Sequence, residues 1–177
     1  MHANELLKLY ENSAQMDAFR NAIGQESVQH IFLKGLTASA TPVLFACLHL
    51  KKHILFILPD EEEAKYFYDD LNVLSAEAKI LLFSSSYRRS VKYGQRDAVN
   101  EISRTEVLSA LQSTQTAHQA LFIVSYPEAL AELVPSRQNI DERTLKVAVG
   151  QTIEAATMLK TLREFGFHEV DYVYEPG

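Results

Sequence analysis

A single cysteine in 177 residues excludes any internal disulfide, and Cys47 stands in the apolar run Phe45-Ala46-Cys47-Leu48, the setting of a small buried core residue and not of a nucleophile. No apolar run approaches the roughly 20 residues that span a bilayer. Runs such as Ile54-Leu55-Phe56-Ile57-Leu58 and Leu121-Phe122-Ile123-Val124 have the size of buried strands. Met1-His2-Ala3-Asn4-Glu5 lacks the basic segment followed by an apolar one that marks a secretion signal, and a cytoplasmic protein is expected. Internal repeats and low-complexity tracts are absent. Positive charge is also scarce: 17 Lys+Arg against 23 Asp+Glu give a formal charge of -6, the wrong sign for a domain that holds DNA or RNA mainly through phosphates. The local exception is Tyr87-Arg88-Arg89-Ser90-Val91-Lys92-Tyr93, which interleaves aromatics and cations. Arg88, Arg89 and Lys92 are therefore candidate contacts for nucleic acid or a partner, weighed against a solvated loop.

The 47% of hydrophobic residues suffices for one ordinary core and a small second one. Leu6, Leu7 and Tyr10 recur at helical spacing, and Met16, Phe19 and Ile23 continue a second helical pattern up to Gly24. Residues 31–34 read as a strand, 35–41 as a loop and 42–51 as a helix with Pro42 in its first turn. Residues 53–58 are a nearly continuous apolar run, which predicts a strand covered on both faces in a parallel sheet. Pro59-Asp60 breaks that strand and caps a helix from Glu61 to about Leu74, with Glu61, Glu62 and Glu63 complementing the helix dipole and Ala64, Phe67, Tyr68 and Leu71 facing inward. A strand over 79–83, a polar loop over 84–97 and a helix over about 98–111 follow, the helix with Ile102, Val107, Leu108 and Leu111 inside. Residues 120–124 form the next buried strand and 127–133 a short helix. Strands alternating with helices at this spacing predict an α/β domain with parallel strands over residues 1–135.

Beyond Pro135 the composition shifts. Residues 144–149 alternate like a strand with one wet face, 153–165 are amphipathic and closed by Gly166, and Val170-Asp171-Tyr172-Val173-Tyr174 starts a further strand. Residues 136–177 are thus expected to begin a smaller α+β domain. The end at Glu175-Pro176-Gly177, directly after a strand, suggests a truncated unit or a strand through which copies self-associate.

The most informative segment is 30–46. It has the outline of a phosphate-binding loop, G-x-x-x-x-G-K-[ST], in which backbone N–H groups wrap the phosphates, the Lys neutralises them and the hydroxyl holds Mg²⁺. Gly35 keeps the first position, but Ala40, Thr41 and Pro42 replace the second glycine, the lysine and the magnesium ligand. Pro42 lacks both a hydroxyl and a backbone N–H. No cofactor, metal or catalytic residue is expected. His49 and His53 stand four apart, but Lys51-Lys52 read as a helix end between them, and Ser84-Ser85-Ser86 has no nucleophile-elbow pattern.

Together these segments resemble the N-terminal, UvrB-like region of the bacterial transcription-repair coupling factor (Mfd) family. The resemblance is carried by Gly35-Leu36-Thr37-Ala38-Ser39-Ala40, Pro59-Asp60-Glu61-Glu62-Glu63-Ala64, Tyr68-Asp69-Asp70-Leu71, the arginine-bearing helix from Asp97, Lys146-Val147-Ala148-Val149-Gly150-Gln151 and, most specifically, residues 162–177. The segment Ser85-Ser86-Tyr87-Arg88-Arg89-Ser90 departs from the D-W-E-T-x-P-Y usual in that family. The resemblance implies a P-loop-like (RecA/UvrB domain 1a-like) domain with a degenerate nucleotide site, followed by the start of a UvrB domain 2-like one. It further implies a non-catalytic scaffold that helps recruit the damage-recognition subunit UvrA to RNA polymerase stalled at DNA lesions. ATP, Mg and the polymerase and DNA contacts would belong to other domains of the parent translocase, and the UvrA contacts to residues past Gly177. The alternatives are a nucleotide-binding or hydrolysing P-loop-like domain and an intramolecular autoinhibitory domain.

Overall fold

The computed structural model describes residues 3–75, 78–87, 97–112 and 120–170. The chain divides into two units, Met1–Glu132 and Leu133–Gly177.

In the first unit, helices α1 (Ala3–Glu11) and α2 (Ala14–Gly24) occupy the two segments with helical spacing. Ser13 starts α2 by accepting the Met16 N–H at 3.2 Å. A short helix α3 (Ala40–Ala46) leads to β1 (Ile54–Ile57), α4 (Glu61–Leu74), β2 (Lys79–Leu82), α5 (Ala98–Gln112), β3 (Leu121–Ser125) and α6 (Pro127–Ala131). Asp60 caps α4 as its sequence predicts, its carboxylate accepting the Glu63 N–H at 2.9 Å.

The sheet is wholly parallel and ordered β1-β3-β2, with Ile54 opposite Phe122 on one side of β3 and Lys79 opposite Leu121 on the other. The crossover from β1 to β2 passes over the place of β3, and the next crossover returns. Right-handed crossovers in opposite directions put α4 and α5 on opposite faces. This explains why all five residues of β3 are buried.

Two apolar clusters form. The larger gathers Phe56, Ala64, Phe67, Leu71, Val107 and the apolar β3 residues; the smaller gathers Leu7, Met16, Phe19, Ala46, Cys47 and Leu48 from the first three helices and the turn after α3. Phe45 stands edge-on to both Phe19 (6.0 Å) and Phe56 (4.8 Å), and Phe56 in turn meets Phe67 (4.9 Å) and Phe122 (5.6 Å). Arg20 ties the helices of the smaller cluster, donating to the Glu11 carbonyl at 2.8 Å and the Cys47 carbonyl at 2.9 Å.

Several expectations are corrected. Residues 31–34 form no strand: Ile31, Phe32 and Leu33 lie exposed in irregular backbone. The helix expected over 42–51 starts two residues earlier and stops at Ala46. Strand β1 is an edge strand covered on one side only, with Leu55 and Ile57 exposed. On α5 the buried stripe is Arg104, Val107 and Ala110, whereas Ile102 and Leu111 face outward. Ile102 lies five residues before Val107, about 140° around the helix at 3.6 residues per turn, so it cannot share that face. The short helix expected to reach 133 ends at Ala131.

The second unit holds α7 (Arg137–Glu142) and α8 (Ala155–Glu164), the latter followed by Gly166 at φ +92°. The strand expected over 144–149 is absent. Leu145, Val147 and Val149 are exposed, and among the described residues nothing pairs with them. Alternation supplies a strand's faces, not the ladder partner it requires. The strand expected from Val170 falls, past that residue, outside the described residues.

Candidate functional site

Two places could carry function: the loop at 35–42 and the carboxyl edge of the sheet. The loop turns at Gly35, whose φ of +82° suits a residue without Cβ, and Ala38 adopts φ +48°, uncommon for a non-glycine. Its backbone closes on itself, the Ala40 N–H donating to the Thr37 carbonyl and the Val43 N–H to the Ser39 carbonyl, both at 3.1 Å. Ser39 precedes α3 without capping it through its side chain. Pro42, third residue of that helix, is fully buried and contributes no N–H to the first turn. Lys34, just before the loop, stacks its ammonium over the Phe32 ring at 5.7 Å. The loop therefore does not follow a strand; instead it packs beside α1 and α2.

Where a phosphate site would hold cations and N–H donors, the space is apolar. A pocket of about 430 Å³ is walled by Tyr10, Met16, Leu36, Ala38, Ser39, Ala40, Val43 and Leu44, with no charged side chain among them. Burying an unpaired phosphate there would cost far more than the loop's few donors return.

At the carboxyl edge, the connections from β1 and β2 leave toward opposite faces above the end of β3, the position at which open α/β sheets take ligands. Among the described residues, side chains are packed against that edge. Ser84, Ser125 and Tyr126 are each at most 1% exposed, Ser125 Oγ donates to the Phe83 carbonyl at 2.9 Å, and Tyr126 Oη accepts the Ser85 N–H at 2.8 Å. Beside them, the Glu132 carboxylate accepts the hydroxyls of Ser85 and Ser86 and the Ser86 N–H. Arg104 lies over the Phe83 ring at 4.1 Å, donates from Nη1 to the carbonyls of Ser84 (2.8 Å) and Ala129 (3.0 Å), and stands 3.5 Å from Glu132. Its Nη2 is buried without a hydrogen-bond partner among the described residues. Burial pushes the Glu132 carboxyl up, but the serine hydrogen bonds and the guanidinium outweigh it and hold the group below its ordinary value.

Of the residues the sequence singled out, Gly35 turns the loop while Ala40, Thr41 and Pro42 open α3; Arg88, Arg89 and Lys92 lie outside the described residues. Sequence reasoning missed the Arg104–Glu132 pair. Its one available signal was a lone arginine three residues before Val107, on the stripe of α5 that has to face the sheet. Among the described residues no three His, Cys, Asp or Glu side chains are grouped to hold a metal, and His49 sits past the end of α3, its Nε2 3.1 Å from Glu11. No family model, curated protein or solved structure matches this chain.

Proposed function

We propose that this chain is a UvrB-like, nucleotide-free protein-binding module, the N-terminal part of a bacterial transcription-repair coupling factor, and that it serves to bring UvrA to RNA polymerase stalled at a DNA lesion. The observation that carries this reading is the loop at 35–42. In sequence its outline is that of a phosphate loop, yet its lysine and magnesium positions hold Thr41 and a buried Pro42, and apolar side chains wall the space beside it. The carboxyl edge over β3 supports the same reading, because among the described residues it buries Ser84, Ser125 and Tyr126. The parallel sheet with helices between its strands is compatible with a degenerate RecA/UvrB domain 1a-like fold. A formal charge of -6 favours a protein partner over nucleic acid. In this reading ATP-driven movement on DNA resides in other parts of the parent protein.

Two experiments test it. Calorimetry with Mg-ATP is expected to give no heat of binding, and micromolar affinity would refute a nucleotide-free scaffold. A UvrA pull-down with this chain, and with a version lengthened by one small domain, is expected to succeed with the longer one. Failure of both would end the recruitment role.

A further inference from the structure

Strand β1 ends the sheet on one side. The Leu58 N–H donates to the Ser125 carbonyl at 2.9 Å, and backbone groups alternate between the two edges of a strand, so those of Ile54, Phe56 and Leu58 point to β3 and those of Leu55 and Ile57 point outward. Among the described residues no backbone group meets the outer two. The stretch from His30 to Leu36 is in the same condition: Ile31, Phe32 and Leu33 are exposed, and no backbone group there has a backbone partner among the described residues.

We propose that residues 30–34 are a strap that closes on the outer edge of β1 as a parallel strand, and that the structure holds it in the open arrangement. The course of the chain selects both the segment and the edge. Residues 30–34 reach β1 through 35–53, a connection that contains α3 and exceeds the dozen residues a parallel crossover needs. The Phe56 ring meets Phe67 of α4 at 4.9 Å and Phe45 of α3 at 4.8 Å, so α3 already lies on the same face as α4. A right-handed crossover through α3 into β1 puts that helix on this face only when its first strand stands at the outer edge of β1. Starting from beyond β2, it would put α3 with α5. Closing pairs two sets of idle backbone groups and hides an edge on which another chain could otherwise add a strand. The strap restores none of the phosphate ligands lost at Ala40, Thr41 and Pro42, and it rests on the parallel sheet, independently of the recruitment reading.

Amide hydrogen exchange of the whole chain, resolved by residue, tests the strap. In the unaltered chain the Leu55 and Ile57 amides are expected to exchange about 100-fold or more slowly than open ones, alongside Phe56, whose N–H is held by β3 in either arrangement. Neighbouring N–H groups of the strap point to opposite edges, so in either register one of Phe32→Pro and Leu33→Pro removes a donor to β1. That variant is expected to free Leu55 and Ile57 while Phe56 stays protected. Should a proline also free Phe56, the sheet itself is lost, and Ile31→Gly with Leu33→Gly, which weakens a strand but keeps every donor, is expected to free the outer two alone. Free exchange of Leu55 and Ile57 in the unaltered chain overturns the proposal, and so does protection indifferent to all these variants. Protection that grows with chain concentration also overturns it, because it puts a second copy on the edge.

Discussion

Glu132 is held by two neighbouring serines, through both their hydroxyls and the Ser86 N–H. It accepts from Ser85 and Ser86, and Arg104 stands beside it, so the carboxylate is favoured in the folded chain over the unfolded one. A depressed folded value means that this stabilisation is complete above the unfolded carboxyl's 4.5 and is lost as pH falls through the lower folded value. Glu132→Ala is therefore expected to cost about 3 kcal/mol at pH 7, where Arg104 is left without its counter-charge, and less at pH 3, below the unfolded carboxyl's 4.5. Thermal melts at the two pH values check this; equal losses would show that the charge is irrelevant. Cys47 obeys the opposite logic. Burial first, and then Glu11, push its thiol up, while Arg20 pulls the other way, and its Sγ lies 3.6 Å from the Leu7 carbonyl. A buried thiol that resists ionising is a poor nucleophile. We expect an aromatic disulfide reagent to leave the native chain unmodified over a period in which urea-unfolded chain reacts fully.

At the scale of elements, α3 decides what the degenerate loop can become. It has seven residues, no side-chain cap and no strand feeding it. Restoring residue types alone, as Thr41→Lys with Pro42→Thr, is expected to leave both ATP binding and phosphate release at zero, because a lysine there has no strand leading into the loop as it stands and Ala40 in place of the second glycine. Measurable ATPase in the double variant would reverse that conclusion. The same contrast explains what could be read without coordinates. Helix α4 was legible to its ends, since Pro59, Asp60 and three glutamates mark its start and the spacing of Ala64, Phe67 and Leu71 its face. The strands β1, β2 and β3 were legible as apolar runs between turn residues. Residues 31–34 and 144–149 look equally strand-like in isolation, yet an apolar run says nothing about whether a neighbour's edge is available. The exposed outer side of β1 was hidden for the same reason. At the candidate site, the loss of phosphate ligands at Ala40, Thr41 and Pro42 was visible residue by residue. The pocket and the Glu132 network were not, because their members are brought together across gaps of up to 47 residues.

At the scale of the whole molecule, stability in the first unit runs through a chain of phenylalanines. Phe56 belongs to the larger cluster and touches Phe45, which packs against both clusters. Truncating it removes contacts to Phe45, Phe67 and Phe122 at once. Phe56→Ala is expected to lower unfolding free energy by about 3–5 kcal/mol, a large share of a typical domain's total, read as a shift in urea midpoint by circular dichroism. A loss below about 1 kcal/mol would mean that the two clusters are energetically separate.

The position of β3 bears on how the chain comes off the ribosome. Among the described strands it is the last to be made, and it touches both others. Until Ser125 has emerged, β1 and β2 have no common neighbour; β1 waits as an unpaired apolar segment across two crossovers and β2 across one. The sheet therefore assembles late and in a single closing event, and a nascent chain halted before Leu121 exposes both edges at once.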